Sequence, residues 1–204
     1  YAGESKQLSI KSYNGKKNLY LNGPVEVSRN SSYLKQNGKP FFYLADTLWF
    51  GATKRLSDTD FQKLLELRQK QGFSAIQIVA GIPPEVEAFS ENAANSGGLP
   101  FEKDFNINPA YFDVLDERIK LIVEHGMVPM IFGGWGHHID WMGTEKMKLL
   151  WAEIVARYSS YPVIFSLCGE ADVFLVPGGI PARQADQAKS FAKKIIETLP
   201  RPVF

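Results

Sequence analysis

Acids, tryptophans and histidines recur at one kind of place in this chain: at the ends of short apolar runs. The run Phe41-Phe42-Tyr43-Leu44-Ala45 leads into Asp46-Thr47-Leu48-Trp49-Phe50. The run from Ser74 ends in Gln77 to Gly81, and Val128-Pro129-Met130-Ile131-Phe132 leads into Gly133-Gly134-Trp135-Gly136-His137-His138. Val163 to Cys168 is followed by Gly169-Glu170-Ala171-Asp172. Carboxylates beside indoles suit sugar chemistry. An indole face packs on the C–H face of a sugar ring, and a carboxylate binds hydroxyls or moves a proton. Glu170 is the foremost candidate for a general acid/base, because glycine beside it opens the backbone to a substrate. Its competing role is an ion pair with a base such as Arg183. Asp46 has two readings, a hydrogen bond to substrate or an Asx turn. Trp49 and Trp135 are sugar platforms or core aromatics. Gln77, His137 and His138 are candidate substrate contacts, and Asp172 is a fallback for the acid.

Metal and nucleophile chemistry are poorly supplied. Adjacent histidines point apart, and no H-E-x-x-H or third spaced ligand accompanies His137-His138. His125 falls at a helix end, where the helix dipole accounts for it. Cys168 is the single cysteine; it lies in an apolar run that keeps a thiol protonated. No G-x-S-x-G elbow is present. The expectation is therefore no metal and no cofactor.

The elements that must carry these residues alternate. Ser57-Asp58-Thr59-Asp60 reads as a capping box ahead of Phe61, Leu64, Leu65 and Arg68, closed by Gly72. Asn108-Pro109 opens a helix with Phe112, Leu115, Ile119, Ile122 and Val123 on one stripe. Thr144 caps a third, with Met147, Leu150, Trp151, Ile154 and Tyr158. Pro181 opens a fourth, and Pro202-Val203-Phe204 begins a further strand. Residues 1–39 differ: Gly and Asn punctuate short alternating runs such as Val25-Glu26-Val27, and Asn37-Gly38 suits a tight hairpin turn. This segment reads as a β extension ahead of a βα region at 40–204.

Strand runs that are apolar on both parities call for cover on both faces, as in parallel α/β sheets. Both a doubly wound sheet and a (β/α)₈ barrel fit that rhythm. No G-x-G-x-x-G or Walker loop follows a strand, which disfavours dinucleotide and P-loop readings. A complete barrel needs about 250 residues. Four βα units in 204 residues predict the first half of a TIM barrel from a longer protein. In either architecture, ligands bind at the carboxyl ends of the strands, where the acids and aromatics above fall. The 23 basic and 22 acidic residues leave a net charge of +1, so no global field draws nucleic acid. No apolar run approaches the roughly 20 residues of a membrane span.

Several segments resemble the apiosidase-like glycoside hydrolases. Gly38 to Trp49 (Gly-Lys-Pro-Phe-Phe-Tyr-Leu-Ala-Asp-Thr-Leu-Trp) is similar to that family's opening strand. Asn95-Ser96-Gly97-Gly98-Leu99-Pro100-Phe101 and Asn108-Pro109-Ala110-Tyr111-Phe112-Asp113 resemble its segment between the second and third barrel strands. Val25 to Leu34 is similar to its N-terminal strand pair. The resemblance implies a (β/α)₈ barrel, often followed by a β-sandwich. It implies hydrolysis of glycosides from plant or microbial polysaccharides, branched pectin included. It also implies an acid/base carboxylate after the fourth strand, which maps onto Glu170, and a nucleophilic carboxylate after a later one. The family commonly ends that turn Gly-Gly-Asp; here it is Cys168-Gly169-Glu170.

The second carboxylate is therefore expected beyond residue 204, and the 204 residues alone are expected to be inactive. The expected partners are a carbohydrate substrate and the remaining half of the barrel. An extracellular, periplasmic or cell-surface location follows from the substrate class. The alternative is a non-catalytic carbohydrate-binding or pseudoenzyme barrel that keeps the tryptophans without two acids.

Overall fold

A computed structural model describes residues 23–169. The expected fourth helix, the strand at 202–204, Glu170 and Asp172 lie outside the described residues. Three short strands, β1 (Val25–Val27), β2 (Leu34–Gln36) and β3 (Lys39–Pro40), form an antiparallel sheet. Gln36 pairs with Lys39 across Asn37-Gly38, whose φ values are 50° and 73°. Positive φ at both turn residues is what a two-residue hairpin with the native strand twist requires.

Four parallel strands follow in chain order: β4 (Ala45–Leu48), β5 (Ala75–Val79), β6 (Val128–Phe132) and β7 (Ile164–Ser166). Helices α1 (Asp58–Lys70), α2 (Pro109–Glu124) and α3 (His138–Tyr158) connect them. This is the expected βα rhythm with a parallel sheet, and the described strands do not close into a barrel. Pro129 is tolerated inside β6 because β7 pairs with β6 only from Met130 onward.

Two boundaries and the geometry of one cap depart from expectation. The first parallel strand runs Ala45–Leu48, later than the apolar run Phe41–Ala45. Phe41 N–H instead extends the hairpin to the Leu34 carbonyl at 2.7 Å, and the Ser74 hydroxyl donates to the Phe42 carbonyl at 2.6 Å. Those bonds hold 41–44 as a bridge between the two sheets. In the capping box of α1, Ser57 Oγ accepts from Asp60 N–H at 3.1 Å and donates to the Asp60 carboxylate at 2.7 Å. The short Asp side chain thus meets the cap hydroxyl in place of the cap backbone. Finally, α3 begins at His138, before Thr144; its first turn is broken from the remainder at Gly143, with φ 72° and ψ 165°.

The sheet is packed on both faces, as its run-on apolar strands require. Ile76, Ile78, Ile131 and Phe165 point to the helices and meet Phe61, Leu65, Leu115, Ile119, Trp151 and Ile154. Each such side chain contributes about 1.5–3 kcal/mol on burial. On the opposite face Ala75, Val128 and Ile164 pack with Val25, Leu34, Phe41 and Tyr43. The hairpin therefore plugs the amino edge of the concave face.

The long connection from β5 to α2 is tied down rather than loose. Asn95 Nδ2 donates to the Tyr111 carbonyl at 2.9 Å, and Asn108 Nδ2 donates to the Gly97 and Leu99 carbonyls at 2.9 and 2.7 Å. A Cβ at Gly97 would stand 2.1 Å from the Ala110 carbonyl oxygen, so only glycine lets this loop rest on the start of α2. Arg118 does the same for the loop after β4. It is 4% exposed and donates to the Gly51 carbonyl, to the Leu56 carbonyl at 2.7 Å and to Asp58 at 2.9 Å. Its guanidinium also lies 4.9 Å from the Phe61 ring centre.

Arg118→Met strands those buried carbonyls, each an acceptor worth about 1–3 kcal/mol when left unmade. Urea denaturation should show a loss of about 2–4 kcal/mol, whereas Asp58→Asn, at an exposed partner, should cost under about 1 kcal/mol. Equal losses would mean that the ion pair, and not the carbonyls, carries the clamp.

Candidate active site at the carboxyl edge of the sheet

Side chains alternate along a strand, so Thr47, Gln77 and Met130 share one row of the concave face and Val79 and Phe132 the next row toward the carboxyl edge. Beyond that row the face becomes aromatic. Trp49, one residue past β4, meets the Phe132 ring edge-on at 5.0 Å and the Trp135 ring edge-on at 5.0 Å. Edge-to-face geometry of this kind is the favoured one for aromatic pairs. Trp135 is 5% exposed, while Trp49 is half-buried.

What holds Trp135 is backbone. Trp135 pairs with Gly169 in a parallel bridge. Gly169 N–H donates to the Gly134 carbonyl at 3.0 Å, and Gly136 N–H donates to the Gly169 carbonyl at 3.1 Å. A Cβ at Gly169 would lie 2.6 Å from two carbons of the Trp135 indole. The glycine that precedes Glu170 in sequence is therefore needed for the ring to lie on the chain.

The histidines flank this group from the first turn of α3. Trp135 N–H donates to His138 Nδ1 at 3.1 Å. That fixes the proton on Nε2, which has no hydrogen-bond partner among the described residues. Burial is the main cause that drives the His138 pKa down from 6.5 to about 3, with His137 adding to it. The imidazole is therefore neutral. His137 is half-buried, with its ring 4.6 Å from His138.

The residues singled out from sequence divide accordingly. Trp49, Trp135, His137 and His138 come together at the carboxyl edge. His138 is 3% exposed, and its ring accepts the Trp135 N–H. Trp135 is likewise buried, and Trp49 is half-buried. Asp46 lies apart from this group. It sits inside β4 on the helix side, where its carboxylate meets Arg68 Nε of α1 at 2.5 Å. Asp46 pairs in register with Ile76, whose side chain faces the helices, so the acid points away from the concave face. Gln77 is also displaced: it is the middle residue of β5, one row below the edge. Its Nε2 donates to the Tyr43 hydroxyl at 2.8 Å and its Oε1 accepts from Thr47 at 3.3 Å. The Tyr43 hydroxyl donates on to Met130 Sδ at 2.7 Å, and burial raises its pKa. Glu170 and Asp172 lie outside the described residues.

Cys168 has its thiol pKa raised by burial, as its apolar run suggested. His125 caps α2, its Nδ1 2.8 Å from the Leu121 carbonyl. Among the described residues no set of three His, Cys, Asp or Glu is grouped to hold a metal, and no helix is long and apolar enough to cross a membrane. Sequence reasoning missed Phe132 and Thr47. Both were findable from parity: Thr47 is two residues before Trp49, and Phe132 is two after Met130, so each shares a face with its neighbour.

A four-stranded parallel sheet with helices on its outer face and aromatics gathered at its carboxyl edge defines an α/β protein. The sequence matches the family described as Apiosidase-like, catalytic domain, over residues 28–202. The chain belongs to that family, and its kinship is with glycoside hydrolases. No curated protein matches it. Among solved structures it is similar to a glycoside hydrolase family 5 protein from Bacteroides vulgatus, at 22% identity and TM-score 0.64, over 93% of this chain and 41% of that one. A second glycoside hydrolase from the same organism shares 19% identity at TM-score 0.66, over 93% and 39%. A family 5 mannosidase from Rhizomucor miehei shares 14% at TM-score 0.55, over 85% and 53%. At these identities the likeness is one of fold. The chain spans about two fifths of the Bacteroides proteins and about half of the mannosidase.

Gly169→Ala should push the indole off its seat. The expected result is a loss of about 1–3 kcal/mol in urea denaturation together with a changed near-ultraviolet dichroism; an unchanged tryptophan signal would refute the contact. His138 supplies a pH test. Below pH 6.5 the unfolded chain takes a proton that the folded chain refuses until about pH 3. The stability that His138 contributes is thus whole above pH 6.5 and drains as pH falls. The stability gap between the native protein and His138→Gln should shrink from about pH 7 to about pH 4. A gap independent of pH would show that the imidazole is not held neutral.

Proposed function

We propose that the complete protein hydrolyses glycosidic bonds in glycosides derived from plant or microbial polysaccharides, with Glu170 as general acid/base. The observation that carries this reading is the seating of Trp135 on Gly169. It ties the aromatic group to the residue immediately before Glu170, on the edge of the sheet where barrel enzymes place their chemistry. Family membership adds the substrate class. An indole wall and a nearby second carboxylate both raise the pKa of a carboxyl group, which keeps it protonated for the first step.

In the proposed reaction the Glu170 carboxylic acid gives its proton to the leaving oxygen as the bond to the anomeric carbon breaks. A second carboxylate, expected beyond residue 204, attacks that carbon in a retaining enzyme or activates water in an inverting one. In the retaining case the Glu170 carboxylate then takes a proton from the water that releases the sugar. Trp49 stacks on the sugar ring, and His137 and Asp172 contact its hydroxyls. No cofactor enters the reaction. A substrate of this class goes with an extracellular, periplasmic or cell-surface location.

Glu170→Gln in the full-length protein should lower kcat on pectin-derived glycosides at least about a hundredfold, while Asp172→Asn should change it less. Turnover by Glu170→Gln within a few-fold of normal would remove Glu170 from the role. Saccharide binding with no product release by the native protein would replace the hydrolase with a carbohydrate-binding barrel.

A further inference from the structure

Resting on the reading that this edge binds saccharide, we propose that Trp141 is a second sugar-stacking platform, outward of the Trp49 group, that engages oligosaccharides and not single sugars. A lone exposed indole is ordinary on a protein surface, but Trp141 is held in a way that few surface side chains are. Its ring stacks on His138 at 4.8 Å with planes 24° apart, and His137 closes a second side edge-on at 5.1 Å. The supporting imidazole is 3% exposed and is itself fixed by the Trp135 N–H. The indole is thus braced in one orientation while it remains 38% exposed. A ligand stacking on it has little side-chain entropy to remove.

Its surroundings also suit a sugar. The indole N–H meets no acceptor among the described residues, so it can donate to a hydroxyl. His138 is neutral, which leaves the platform without a buried positive charge. The break at Gly143 separates residues 138–142 from the body of α3, so Trp141 belongs with the loops of the carboxyl edge. Trp135 N–H, the His138 ring and the Trp141 ring form one chain of contacts. Trp141 is thereby linked to the Trp49 group through His138 and Trp135. On this proposal a single sugar occupies Trp49, and further residues of a longer chain extend to Trp141.

The test is equilibrium binding to the full-length protein, which needs no turnover and so does not depend on Glu170. The probes are a monosaccharide mixture and size-fractionated oligosaccharides, both from a branched-pectin digest, followed by calorimetry and tryptophan fluorescence. W141A should weaken oligosaccharide binding about tenfold, W141F should weaken it less, and both should leave monosaccharide binding unchanged. Urea midpoints of both variants check that the fold is retained, and W141F carries the test if W141A unfolds. Equal weakening for short and long ligands, or native oligosaccharide affinity in both variants, overturns the Trp141 assignment alone. A native protein that binds no saccharide in the digest overturns the assignment and the glycosidase reading together.

Discussion

An indole lying on a stretch of chain with no side chain organises the functional edge of this protein. The Trp135 ring occupies the volume that any Cβ at position 169 would need. That one steric fact joins the loop after β6 to the loop after β7. From it follow the edge-on contacts to Trp49 and the N–H donation to His138. The contact is short-ranged and tolerant of nothing larger than hydrogen, as close-packed interiors are. The aromatic group is therefore assembled from three strands but locked at one point.

Much of the scaffold could be read from residue order. The βα rhythm was visible because both parities of each strand are apolar, and the structure shows both faces covered. The Asn37-Gly38 turn and the Ser57 cap were legible because their chemistry is local. Boundaries were harder. Phe41 to Ala45 has the composition of a strand, yet tertiary bonds from Leu34 and Ser74 claim its first four residues. Nothing local distinguishes a residue pairing with a hairpin from one pairing with a parallel neighbour.

Neighbours on a strand face opposite sides, so Asp46 meets Arg68 and Thr47 takes the concave face. Gln77 lies inside its strand, which runs on to Val79, and its amide is taken up by Tyr43 and Thr47. The burial of His138 was hidden because adjacent histidines look equivalent in sequence, and only the first turn of α3 separates them. Arg118, within the apolar stripe of α2, was a further overlooked signal. A guanidinium among Leu115, Ile119 and Ile122 has to find several acceptors, and the loop after β4 supplies them.

That guanidinium has a consequence for the medium in which the protein works. Its main acceptors are peptide carbonyls beneath the surface, and Asp58, its carboxylate partner among the described residues, faces solvent. Dissolved ions shield the exposed charge within roughly 8–10 Å at ordinary ionic strength, but they do not reach the dipoles. The segment that presents Trp49 is thus pinned equally well in brine and in dilute buffer.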